Sequence, residues 1–191
     1  MGWVYGIHGL SPAVIREISA LSADEIGPRL RAAGLSMADA GGEEGDPVHP
    51  NTALTLLATT RQWELDKSLD DIEGLIDLVP DLAPVRALLK EMEDFSASGV
   101  ANRFHPEEIG LMGIAMPATI ASALAAARPY GGASGRKKLE EAPISAIRRL
   151  LSAGLRKRLL ADDYVWDNWN RIVEAMEWAD QRGEWLGLAM S

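Results

Sequence analysis

Trp3-Val-Tyr-Gly-Ile-His-Gly-Leu10 opens the chain as an extended segment, with Trp3, Tyr5 and Ile7 alternating onto one face. Its counterpart lies at the other end, Glu184-Trp-Leu-Gly-Leu-Ala-Met190, apolar enough to form a closing strand. A strand must find partners for its backbone N–H and C=O groups, and these two are the clearest strand signals in the sequence. The economical solution pairs the first segment with the last, helped by a short strand near Thr59–Leu65. What lies between reads mostly as helix. The expected fold is therefore α+β and mostly helical: a small antiparallel-type sheet of N- and C-terminal strands, covered by helices, in a single domain over residues 1–191.

Helix signals fill the interior. Ser11-Pro12 supplies an N-cap and a first-turn proline, followed by Val14, Ile15, Ile18 and Leu21 at helical spacing. A shorter helix is expected from Asp24 to Ala33, ending at Gly34, and another piece around Leu54, Leu57 and Ala58. Residues 36–50, with Gly41-Gly-Glu-Glu-Gly-Asp-Pro47, read as an acidic loop. Leu65, Leu69, Ile72, Ile76 and Val79 mark an amphipathic helix stopped by Pro80, and Pro84 opens the next, with Val85, Leu88, Leu89, Met92 and Phe95 on one face. Pro106-Glu-Glu108 starts a further helix with acids at its positive end. Tyr130–Gly135 reads as a flexible loop. Two basic helical pieces, Pro143–Ser152 and Leu155–Leu160, precede a last helix from Asp163 to Gln181 with Gly183 as its stop.

Composition narrows the chemistry. Apolar residues make up 47% of the 191, charged residues 25%, and cysteine is absent, which removes disulfides, thiolate metal sites and a cysteine nucleophile. The start lacks a secretory pattern, so the expected location is cytoplasmic. Ile109–Ala127 carries no charge over nineteen residues, but Ala, Gly, Ser and Thr dominate it and Pro117 interrupts it; a buried helix or helix pair is expected, not a membrane span. Net charge is −9, split between a basic segment at 128–158, which sums to +7, and a remainder at −16. Nucleic acid is disfavoured as a partner: Arg148, Arg149, Arg156, Lys157 and Arg158 are not interleaved with the aromatics, which sit among Asp162, Asp163, Asp167, Glu174, Glu177 and Asp180.

Three blocks resemble the YfbM-like family of small bacterial proteins, a group of unknown function. They are Met1-Gly-Trp-Val-Tyr-Gly-Ile-His-Gly-Leu-Ser-Pro12, Leu65-Asp-Lys-Ser-Leu-Asp-Asp-Ile-Glu-Gly-Leu-Ile76 and Phe104-His-Pro-Glu-Glu-Ile109. The tryptophan-bearing terminal helix and closing strand also suit that pattern. The acidic loop, the basic segment, and Leu69 where the family carries an aromatic residue depart from it. The resemblance implies an α+β fold and no catalytic residues.

The candidate chemistry is sparse. Asp66, Asp70, Glu73 and Asp77 are spaced to share one helix face, where oxygen ligands for Mg²⁺ or Ca²⁺ would be arrayed. They also lie opposite the apolar stripe, where any surface helix keeps its charges, and Asp66 suits a cap. No metal is assigned. His8, His105 and Glu108 define an alternative pocket with acid–base or metal potential, though His105 directly precedes a helix-starting proline. No Gly-x-Ser-x-Gly elbow is present, and Gly131-Gly-Ala-Ser-Gly-Arg-Lys-Lys138 lacks the Gly-Lys-Ser/Thr ending of a phosphate loop, so no cofactor is implied. Four of six tryptophans, Trp166, Trp169, Trp178 and Trp185, fall near the end of the chain. Trp169 joins an inward stripe of Val165, Ile172, Val173, Met176 and Ala179, which leaves Trp178, and next Trp166, as anchors for a partner. The expected function is binding of another protein without catalysis. An immunity protein neutralising a toxin is one form, with the acidic loop 39–46, the helix face Asp66–Asp77 and the Trp178 region as contacts. The competing classes are an enzyme or small-molecule binder near His8 and His105, and a self-associating structural protein.

Overall fold

The computed structural model describes residues 5–36, 48, 50–66, 69–94, 110–143, 154 and 157–190. Four strands build one antiparallel sheet: β1 (Tyr5–Leu10), β2 (Thr59–Asp66), β3 (Gly110–Ala115) and β4 (Trp185–Met190), in the order β2-β1-β4-β3. The two ends of the chain pair at its centre, Tyr5 opposite Met190 through Leu10 opposite Trp185. The fold is α+β and mostly helical, as the end segments imply.

Helices cover both faces. On one lie α1 (Pro12–Ala20), α2 (Ala23–Ala32) and α3 (Pro50–Ala58), packed on Leu10, Leu111, Ile114, Trp185 and Ala189. On the other lie α4 (Leu69–Leu78), α5 (Ala83–Glu93), α6 (Pro117–Ala127), α7 (Gly135–Glu141) and the long α8 (Asp163–Arg182), packed on Ile7, Trp63, Leu65, Leu186 and Leu188. Trp185 and Leu186 are therefore both buried, on opposite sides of β4. The helix ends follow local chemistry. Ser11 caps α1 by accepting from the Val14 N–H, Ser22 and Glu25 form a capping box on α2, and Gly183 ends α8 at φ 64°, a left-handed conformation that costs a side-chain-bearing residue.

Three expectations need correction. Leu65 does not begin a helix: it is a buried residue of β2, and α4 starts at Leu69. The period ran on across the boundary because both elements bury into the same core. The uncharged stretch ending at Ala127 is not helical throughout: β3 occupies Gly110–Ala115, and Pro117 opens α6. Tertiary packing decides this, since a Cβ at Gly113 would sit 2.5 Å from the Asp94 nitrogen, and only a bare backbone fits against the end of α5. Of the loop read over Tyr130–Gly135 only residues 131–134 are irregular, and both ends are anchored: Tyr130 is buried, its hydroxyl donates to Asp81 at 3.2 Å, its carbonyl accepts from Trp169 Nε1 at 2.9 Å, and α7 begins at Gly135. The loop expected at 36–50 and the helix start at Pro106 fall, but for a few residues, outside the described chain, as does most of Pro143–Ser152.

Candidate functional site

Helix α8 buries Val165, Trp169, Ile172, Val173, Met176 and Ala179 as the spacing predicts, and the same geometry turns its other flank toward strand β2. There Trp63 of β2 and Trp178 of α8 meet edge to face, ring centroids 5.4 Å apart and planes at 72°. The Trp178 ring has room only because residue 9 is glycine: a Cβ on Gly9 would lie 2.2 Å from its Cζ3. Each ring carries an arginine on its face, Arg61 at 4.8 Å from the Trp63 centroid and Arg182 at 4.9 Å from that of Trp178. Arg61 also donates to Glu174 at 2.6 Å. Arg171 donates to the Glu64 carbonyl at 2.6 Å and to Asn168 Oδ1 at 3.2 Å.

These side chains wall a cleft of about 490 Å³ lined by Gln62, Trp63, Glu64, Arg171 and Glu174. A second cleft of about 440 Å³ runs between Arg128 with the Gly131–Gly132 turn and Asn170, Glu174 and Glu177 of α8. Glu174 stands between the two. The charges of this ledge are unevenly satisfied. Of its arginines only Arg61 is ion-paired, to Glu174, while Arg182 lies on a ring and Arg171 bonds a carbonyl and an amide; Glu64, Asp167, Glu177, Asp180 and, across the second cleft, Arg128 have no ion-pair partner among the described residues. Carboxylates predominate on the outer flank of α8, at Asp167, Glu177 and Asp180.

The residues singled out from sequence do not assemble elsewhere. Asp66 lies on β2, not on a helix, so the four-carboxylate face does not exist as drawn. Asp70 is exposed on α4. Glu73 is turned into an ion pair with Arg86 of α5, and Asp77 approaches the same guanidinium at 3.8 Å. Glu93 sits close by, its carboxyl pushed up by burial and then by the Glu73 charge. Among the described residues no group of three His, Asp or Glu side chains is placed to hold a metal ion.

His8 is buried at 5% exposure on the sheet face covered by α1 and α3, with Nδ1 at 3.0 Å from Thr59 Oγ1. Burial pulls its pKa from 6.5 to about 4, so the ring is neutral at physiological pH and holds its neighbour in place. His105 and Glu108 lie outside the described residues, and so do Arg148, Arg149 and Arg156. Within the basic segment Arg136 pairs with Asp163 at 2.8 Å and donates to the Leu160 carbonyl.

Trp178 and Trp166 are half-buried members of the larger core, not free anchors. The residues that complete the ledge, Arg61, Trp63, Arg171 and Arg182, carry a faint sequence signal at most. Thr59–Leu65 is legible as a strand, but nothing in its order says which helix meets it. Among the described residues no helix is long and apolar enough to cross a membrane. No family model matches the chain, and neither a curated protein nor a solved structure matches it.

Proposed function

We propose that this chain acts without catalysis, by binding another protein through the ledge formed by β2 and α8. The observation that carries this reading is the outer flank of α8 beside β2, where half-buried Trp178 bears Arg182 on its face and Asp167, Glu177 and Asp180 have no ion-pair partner among the described residues. Tryptophan and arginine are the side chains that dominate binding energy at protein interfaces, and a free negative rim favours and steers a basic partner. A cytoplasmic immunity protein that occupies a basic toxin fits that surface. The YfbM-like resemblance belongs to the same proposal, supported by the opening strand running into a capped helix and by the closing strand after a tryptophan-bearing helix.

The test is affinity capture from the native host with the wild-type chain and with a variant carrying Asp167→Lys and Glu177→Lys. A specific partner, including any product of an adjacent gene, retained by the wild type and lost by the variant in a salt-dependent way is the expected result. Equal recovery with both proteins, or none with either, overturns the assignment of this surface.

A further inference from the structure

Asn170, Val173, Glu174 and Glu177 follow one another three and four residues apart, so they form a row on one face of α8. Opposite that row stand Arg128 and the Gly131–Gly132 turn. The cleft between the two walls measures about 440 Å³, a volume typical of small-molecule sites. Both walls are fixed. The single turn Arg128–Tyr130 is tied to α8, because the Tyr130 carbonyl accepts from Trp169 Nε1 at 2.9 Å. A Cβ at Gly131 would crowd Val173 Cγ1 at 3.1 Å, and Gly132 turns the chain at φ 66°, where a side chain is strained. The Gly132 N–H then donates to Asn170 Oδ1 at 3.2 Å. That bond decides which way the amide points, and it leaves both N–H donors of Asn170 Nδ2 without a partner among the described residues. The charges of the cleft are held apart. Arg128 is exposed and Glu177 half-buried, and neither is ion-paired among the described residues, whereas Glu174 is bound by Arg61.

We infer that this cleft binds a small zwitterion of the amino-acid type, its carboxylate on Arg128 and the Asn170 amide and its ammonium on Glu177. The two walls select the class. A plain anion gains from Arg128 but meets the Glu177 carboxylate, and a plain cation gains from Glu177 but meets the Arg128 guanidinium. A ligand carrying both charges on a short skeleton sets each against its complement, and the same groups reject singly charged competitors. Asn170 adds to the distinction, since its free N–H groups serve a carboxylate and cannot serve an ammonium. The guanidinium in turn suits a carboxylate, which it can engage through two parallel N–H donors. Val173, between Asn170 and Glu177 on the same row, offers the aliphatic part of the ligand an apolar contact. This goes beyond the protein-binding reading and does not depend on it.

Amide NMR spectra of the isotopically labelled full chain, titrated with alanine and with the dipeptide alanyl-alanine, read the result. Saturable shifts are expected at Gly131, Gly132 and the Asn170 side-chain amide, and the tighter of the two ligands tells a free amino acid from a short peptide. N-acetylalanine lacks the ammonium and alaninamide lacks the carboxylate, and each is expected to bind at least about tenfold more weakly. Asn170→Asp keeps an oxygen to accept from Gly132 and replaces the free donors by an anion, so it is expected to weaken binding at least about tenfold with far-UV circular dichroism unchanged. Arg128→Gln, a change at an exposed position, is expected to do the same. No shifts with either ligand overturn the inference. Equal binding of N-acetylalanine or of alaninamide overturns it as well, as does full affinity in Arg128→Gln or in Asn170→Asp.

Discussion

Acidification is expected to destabilise the protein through His8. In the fold its pKa is about 4, against 6.5 for a free histidine, because burial disfavours the imidazolium and the nearby Thr59 hydroxyl supplies no charge to offset it. The unfolded chain therefore binds the extra proton first. This contribution is fully present above 6.5 and is lost as pH falls toward 4. A difference of one between the folded and unfolded pKa values is worth about 1.36 kcal/mol, so the full loss approaches roughly 3 kcal/mol, and about 2 kcal/mol of it falls between about pH 7 and about pH 5. In a chain of this length that is a fall in Tm of about 4–8 °C over the same interval. Glu93 acts in the opposite sense: its raised pKa favours the fold below its free value of 4.5 and withdraws that contribution as pH climbs past it. The difference between wild type and His8→Phe removes Glu93 and every other shared titration. Urea melts of both proteins at several pH values give the two slopes. If the wild type and His8→Phe lose stability in parallel on acidification, burial of a neutral His8 is not what the structure implies.

Gly9→Ala places a methyl group within the Trp178 ring, so the ring must swing away from Trp63; a loss of about 1–3 kcal/mol is expected, together with a changed near-UV circular dichroism band, and an unaltered spectrum would contradict the packing. Arg86→Met removes the cation that Glu73 pairs with and Asp77 approaches, leaving Glu73 and Glu93 to repel each other where α4 meets α5; with about a third of the arginine exposed, the cost is expected near 1–2 kcal/mol at neutral pH, and smaller in mild acid as Glu93 takes up a proton. Chemical denaturation at the two pH values checks both the cost and its direction.

Much of the architecture is legible in the sequence because its rules are local. Ser11-Pro12 and Gly183 act through their own backbones, and the α8 stripe follows from a single period. The central pairing of β1 with β4 follows from needing a partner for two strands. What stays hidden is set across the fold. Gly110–Ala115 has little intrinsic preference for a strand, and becomes one because β4 offers a ladder on one side and α5 permits only a glycine at 113. Leu65 reads as the first turn of α4 because its spacing to Leu69 is that of a helix, yet the chain changes element between them. Of the site, the tryptophan helix is visible and its partner is not. Arg61 and Trp63 lie over a hundred residues before Trp178, and their meeting depends on α8 crossing β2. The Asp66–Asp77 face fails for a related reason: helical spacing places carboxylates on one side but says nothing of Arg86 arriving from the next helix.

The dual use of Trp178 determines how its role is to be probed. Its ring fills the space above Gly9 and braces Trp63, so Trp178→Ala would open a gap in the larger core as well as remove an aromatic surface. A binding defect in that variant would not separate folding from recognition. The carboxylates do separate them. Asp167 is exposed on the outer side of α8 and bonded to nothing among the described residues, and Glu177, although half-buried, has no ion-pair partner there. Reversing both charges leaves the aromatic pair, the caps and the sheet in place, and surface changes of that kind usually shift stability by no more than about 0.5 kcal/mol. The field met by an approaching basic partner nevertheless changes by four charges, which slows association far more than it alters the contact once made. A partner captured through this ledge should therefore show a lower association rate with the reversed variant and little change in the rate of release, and the opposite division would place the interface elsewhere.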